Sequence, residues 1–186
     1  MKIILDCDDV LYATNEFAIK VLSNITGKQY SIQDIHSWGL LNSDIDERLV
    51  FFHDPGFVEK IPIYDGVKVF VKILAMVSDL YLVTGVDPKC MCARYKRICQ
   101  DFPEVNPDRI VFARDKTLIK ADWALDDNAS YIRNAINVKY PILMDRPWNR
   151  KEPLPSVDSL AEFVNIVTNT QRQDTLYKGV IGHGKL

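Results

Sequence analysis

The 186-residue chain has no paired-cysteine pattern, no strong charge bias and no long apolar run. Cys7, Cys90, Cys92 and Cys99 form neither a CxxC pair nor a zinc spacing, and three of them crowd one expected helix. Free thiols in a reducing cytoplasm are the reading that follows. A formal charge of −2 supplies no basic footprint for nucleic acid. No stretch approaches the roughly 20 apolar residues that a membrane helix needs. Lys2 leads at once into a strand-like run and then into acids, unlike a secretory leader. Repeats and low-complexity tracts are absent. The composition, 47% apolar and 26% charged, suits a soluble cytoplasmic chain with one domain, or one domain carrying an insertion.

What is present is a rhythm of short apolar runs: Ile3 to Leu5, Leu80 to Val83, Ile110 to Phe112, Trp123 to Leu125 and Pro141 to Met144. Helix-like stretches separate the later ones, at Gly66 to Met76, Pro88 to Gln100, Asn128 to Asn137 and Val157 to Thr168. Continuous apolar strands alternating with helices predict an α/β fold, a Rossmann-like parallel sheet covered on both faces. The first gap is far longer than one crossover helix requires. It is expected to hold a small helical cap over residues 12–62, inserted into a core formed by 1–11 and 63–170. In the cap, Thr14 is the expected N-cap of a helix ending before Gly27, a short helix follows Ser31, and Ser43 with Asp46 has capping-box spacing. Residues 171–186 show no periodicity. They are expected to be mobile or to pack on a partner subunit, which leaves a homodimer open.

Four polar groups fall at strand ends: Asp6 with Asp8, Thr84-Gly85, Lys116, and Asp126-Asp127. Taken singly, each is an ordinary turn, cap or surface residue. Parallel strands, however, bring their carboxyl ends to one edge of the sheet, where open α/β folds place their sites. Several carboxylates in one crevice repel unless a hard cation neutralises them, and oxygen-only ligation with few dedicated groups suits Mg²⁺. Thr84 and the amides around Gly85 can donate to phosphate oxygens, and Lys116 adds fixed positive charge. The i, i+2 acids divide naturally into a nucleophile, Asp6, and an acid/base, Asp8. This set of groups is suited to phosphoryl transfer. A signalling receiver also uses acids, a Thr and a Lys, but it takes its phosphate on a middle strand and carries no insertion.

These motifs, Leu5-Asp6-Cys7-Asp8-Asp9-Val10-Leu11, Leu82-Val83-Thr84-Gly85, Lys116 and Leu125-Asp126-Asp127, resemble those of the haloacid dehalogenase-like phosphatases. The stretches Ile110 to Thr117 and Ala121 to Asp127 are similar to the 5′(3′)-deoxyribonucleotidases in particular, and the resemblance spans residues 1 to 150. It implies a Mg²⁺-dependent phosphatase acting on (deoxy)nucleoside monophosphates. Another small phosphate ester, such as a sugar phosphate, is the alternative substrate. Carried over, Asp6 is the nucleophile, Asp8 the general acid/base, Thr84 and Gly85 bind phosphate, and Lys116 neutralises charge. The metal falls to Asp6, the Asp8 carbonyl and the Asp126-Asp127 pair, with Asp127 favoured as the direct ligand. Trp38 resembles an aromatic that lines the family's base pocket. The chain makes three departures from the pattern: Asp9 stands where Gly is common, Gly85-Val86 replaces a small hydroxylic residue and Pro, and Thr14 replaces a base-facing aromatic.

Overall fold

The computed structural model describes residues 1–36 and 43–170; Trp38 and the 171–186 segment lie outside the described residues. Among those residues, six strands form one sheet: β1 (Lys2–Leu5), β2 (Asp79–Thr84), β3 (Ile110–Phe112), β4 (Ala121–Asp126), β5 (Val138–Met144) and β6 (Ser156–Val157). Their order is β3-β2-β1-β4-β5-β6, and every pairing is parallel. The two acid-bearing strands, β1 and β4, are therefore central neighbours.

The period-2 pleat explains the continuous apolar runs. Ile3 and Leu5 of β1 point into the larger core, where Leu82 and Trp123 join α3 (Val67–Val77), α4 (Met91–Asp101) and the helix over residues 160–170, α6. Ile4 points the other way, with Val83 and Ala124, onto α5 (Ala129–Asn134). Both faces are covered, so both parities must be apolar. Trp123 settles the larger core further, edge-on to Phe163 of α6 at 6.1 Å.

The chain between β1 and α3 is helical. α1 (Thr14–Thr26) ends at Gly27, whose φ of 70° and N–H to the Ser23 carbonyl form a left-handed cap. Single-turn 3₁₀ structure follows at Ile32–Asp34, capped by Ser31. Asp44–His53 is a longer 3₁₀ helix, entered through Ser43 and Asp46, and α2 (Pro55–Val58) begins on the Asp54 side-chain cap. Outgoing and returning chain meet in a short antiparallel pairing. The Ala13 N–H donates to the Pro62 carbonyl at 2.9 Å and the Tyr64 N–H to the Leu11 carbonyl at 3.0 Å, around a Tyr12–Ile63 bridge.

Three local expectations are corrected. Thr14 is the first helical residue, with Ala13 before it, because its hydroxyl is taken by Asp8 instead of a helix amide. Residues 156–157 add a sixth strand beside β5, so the last helix starts at residue 160. α5 stops at Asn134, three residues short of the predicted end.

Candidate active site

The site lies at the carboxyl edge of the sheet. Asp6 follows β1, Asp126 ends β4, and Lys116 sits in the loop between β3 and β4. The Lys116 ammonium donates to Asp6 Oδ1 and to Asp126 Oδ2, both at 2.6 Å, and all three side chains are buried. Asp127, also buried, accepts from the Trp148 indole N–H at 2.9 Å through Oδ2. One oxygen from each of Asp6, Asp126 and Asp127 lies within 4.8 Å of the others.

One lysine does not balance three buried carboxylates. Burial pushes the Asp6 carboxyl up to about 7; Lys116 opposes this and Asp126 adds to it. Asp127 is raised well above its ordinary range by burial and by the neighbouring Asp9 and Asp126. For Lys116, burial favours the neutral amine, but Asp126 and Asp6 outweigh it and hold the group charged. Ionised together, these carboxylates would leave excess negative charge in a buried place, and their all-oxygen donor set fits a divalent cation.

Asp8 lies apart from this cluster. Its Oδ1 accepts from the Thr14 hydroxyl at 2.5 Å and from Arg94 of α4, while Oδ2 has no hydrogen-bond partner among the described residues. Asp8, Gly85 and Arg114 form the sheet side of a cavity of about 250 Å³, and Leu49, Phe52 and Phe57 form the opposite wall. Phe57 is stacked on Phe17, Phe51 and Phe52 with centroids 5.0 to 6.2 Å apart. Thr84 is fully buried beside Gly85, and its hydroxyl has no partner among the described residues. A buried unpaired hydroxyl is costly, which fits a donor reserved for a ligand oxygen. The structure thus brings Asp6, Lys116, Asp126 and Asp127 together, with Thr84 buried nearby at the end of β2 and Asp8 and Gly85 on the cavity wall.

Several site residues were hidden in the sequence. Arg94 reads with Tyr95, Lys96 and Arg97 as a solvated helix face, yet it is only 1% exposed. The signal was its spacing: it lies four residues from both Cys90 and Ile98, on the buried stripe. Asp9, held at φ 55°, accepts from the Asn15 amide N–H at 2.9 Å and from its side chain at 2.6 Å. Asn15 in turn accepts from Arg48 of the 3₁₀ helix at 2.8 Å, which links that helix to the loop after β1. His53 meets Asp87 at 2.7 Å, and both residues line the cavity. No sequence pattern announces these long-range partners.

Comparison with known proteins decides the family. The family model described as 5′ nucleotidase, deoxy (pyrimidine), cytosolic type C protein matches residues 1–173. The chain belongs to that family. It is accordingly a phosphoric monoester hydrolase of the 5′-nucleotidase type. A 5′(3′)-deoxyribonucleotidase of Bacillus subtilis (strain 168) is 24% identical over 153 residues, covering 81% of this chain and 88% of that one. A protein of the same description from Bacillus phage SPbeta matches to the same extent. Among solved structures, a haloacid dehalogenase-like hydrolase from Xanthomonas campestris superposes with a TM-score of 0.57 at 13% identity, over 93% of this chain and 92% of its own. A HAD-hydrolase of Bacillus subtilis bound to magnesium gives 0.56 at 15%, over 89% and 97%. These likenesses show the haloacid dehalogenase-like fold for this family member. No helix among the described residues is long and apolar enough to cross a membrane.

Proposed function

We propose that this chain is a Mg²⁺-dependent phosphatase that hydrolyses (deoxy)nucleoside monophosphates to nucleoside and phosphate through an aspartyl-phosphate on Asp6. The observation that carries the reading is the Asp6 carboxylate held by Lys116 at 2.6 Å, beside two further buried carboxylates, at the carboxyl edge of the sheet. Residues 12–62 act as the cap over this edge, and Trp38 within them contributes to the base pocket. The same reading puts the enzyme in the cytoplasm, in keeping with four free cysteines.

In the first half-reaction an Asp6 oxygen forms a bond to phosphorus, the ester P–O bond breaks, and Asp8 gives its proton to the departing oxygen. In the second, a water oxygen bonds to phosphorus, the Asp6 O–P bond breaks, and Asp8 takes the water proton. Thr84 and the Gly85 amide hold phosphate oxygens, and Lys116 offsets charge on Asp6 and on the group in flight. Asp6, the Asp8 carbonyl and Asp127 hold the cation. In support, both Asp126 oxygens are already engaged, by Lys116 and by the Asn128 N–H, whereas Asp127 Oδ1 has no hydrogen-bond partner among the described residues. When bound, Mg²⁺ supplies charge neutralisation and polarises a phosphoryl oxygen.

The Phe52 and Phe57 wall supports a leaving alcohol that carries a flat ring, as a nucleoside does with its base. Arg114 and His53 in the same lining support a second reading, a sugar phosphate. Phosphate release from ribo- and deoxyribonucleoside monophosphates and sugar phosphates, each with Mg²⁺ and with EDTA, tests both. Mg²⁺-dependent preference for deoxynucleotides is the expected result. Preference for sugar phosphates would retain the chemistry and discard the nucleotide, and turnover in EDTA would discard the cation.

A further inference from the structure

Arg94 is a buried cation that the reaction described so far does not use. Its guanidinium lies over the Tyr12 ring, 4.5 Å from the centroid, and is 1% exposed. Among the described residues, Nε and Nη1 have no hydrogen-bond partner, and Nη2 donates to Asp8 Oδ1. Arg94 lines the same cavity as Asp8, the carboxylate to which its Nη2 donates. A charge buried at this expense and directed at one oxygen of one carboxylate has a positional task.

The mounting is rigid along its length. The Tyr12 hydroxyl donates to Asp101 at 3.2 Å, and its ring meets Phe102 edge-on at 5.9 Å. Arg97, one helical turn along α4 from Arg94, sits 5.6 Å from the same Tyr12 ring. Arg97 also donates to Asp101 and to the carbonyls of Glu59 and Ile61. Asp8 is therefore gripped from two directions: by Arg94 from a core helix, and by Thr14 from the first turn of the insertion. Both grips take Oδ1. Oδ2 has no hydrogen-bond partner among the described residues, in a side chain that is 26% exposed and lines the cavity.

We propose that Arg94 is a positioning residue that fixes the Asp8 carboxyl so that Oδ2 is presented to the ester oxygen leaving phosphorus. The proposal rests on the reading of Asp8 as the acid/base. A planar guanidinium stacked on a ring holds one orientation, which a lysine ammonium in the same place does not.

Leaving-group dependence separates this role from a structural one. Nucleoside monophosphates lose a poor leaving group that needs its proton; p-nitrophenyl phosphate loses a good one that does not. The readout is kcat/KM, which covers the steps up to departure of the leaving group. For Arg94→Ala and Arg94→Lys, the value for a deoxynucleoside monophosphate should fall by about 10²-fold, the lower end of general-acid contributions, with a loss of less than about 5-fold for p-nitrophenyl phosphate. Added guanidinium should recover nucleotide turnover in the alanine variant. If the alanine variant fails to fold, the lysine variant carries the measurement. Equal losses on both esters would overturn the proposal. Asp8→Asn, run in parallel, keeps the two failures apart. A selective loss there with an unselective loss for Arg94 removes Arg94 alone, whereas an unselective loss for Asp8→Asn removes the acid/base reading and the Arg94 role with it.

Discussion

At the carboxyl edge of the sheet, Lys116 reaches two carboxylates at 2.6 Å and an indole N–H meets a third at 2.9 Å. On the insertion side the cavity wall is Leu49, Phe52 and Phe57, backed by stacked rings, with His53 in the same lining. The floor is polar, buried and fixed by neighbouring parallel strands. The roof is apolar and built from short elements, one of them a ten-residue 3₁₀ helix. Rate in such a site comes from charge held in place, and selectivity from the surface that meets the rest of the substrate. The two sides should therefore respond to substitution in different currencies, activity below and stability or affinity above.

Asp6→Asn tests the floor most severely. It keeps the volume and removes the nucleophile, so phosphate release should fall by at least about 10³-fold with the fold retained by circular dichroism. Undiminished turnover would remove Asp6 from the chemistry. Lys116→Met should lower kcat by about 10²–10³-fold, since one preorganised charge is lost. A change confined to KM would assign the lysine to binding only.

The roof predicts a different reading. Phe57→Ala should lower thermal stability by about 3–5 kcal/mol, because the ring is buried against three others. A loss below about 1 kcal/mol would show that the aromatic stack is not what holds the insertion together.

The pH dependence of stability belongs to the floor. Asp6 and Asp9 are raised by burial to about 7 from an ordinary 3.8, so the fold retains protons that the unfolded chain has already released. Stability without cation is then greatest below about pH 4 and declines as pH rises through about 7. In EDTA the melting temperature should fall between about pH 5 and about pH 8, and Mg²⁺ should reverse the fall at the upper end. A flat profile in EDTA would mean that the buried carboxylates are already ionised. The smallest effect is expected at His53. His53→Gln alters a contact to Asp87 in which His53 is 60% exposed, and should leave the melting temperature nearly unchanged. A marked, salt-sensitive fall would give that contact a share in holding the roof to the floor.

Legibility followed the same division. β1 to β5 were readable because strands buried on both faces are unbroken apolar runs, and Asp6, Lys116, Asp126 and Asp127 were readable because they sit at or just beyond strand ends. β6 was not, since two residues with one buried valine leave no pattern. Thr14 misled because a local cap and a long-range acceptor call for the same side chain, and Asp8 won. Arg94 was obscured by three polar neighbours in sequence, and its acceptor lies 86 residues away. Periodicity reports which face is buried; it does not report which buried charge has found its opposite.

The antiparallel pairing at Leu11–Ala13 and Pro62–Tyr64 joins the two ends of the insertion through backbone groups alone. Nothing in that seam depends on the identity of the residues between. Doubling the length of an enclosed loop adds only about 0.6 kcal/mol of closure entropy. The seam is thus a natural transplant junction: with Thr14 and Asn15 kept to hold Asp8 and Asp9, a roof of different length and lining can be set on the same floor, and one hydrolytic centre made to serve other esters.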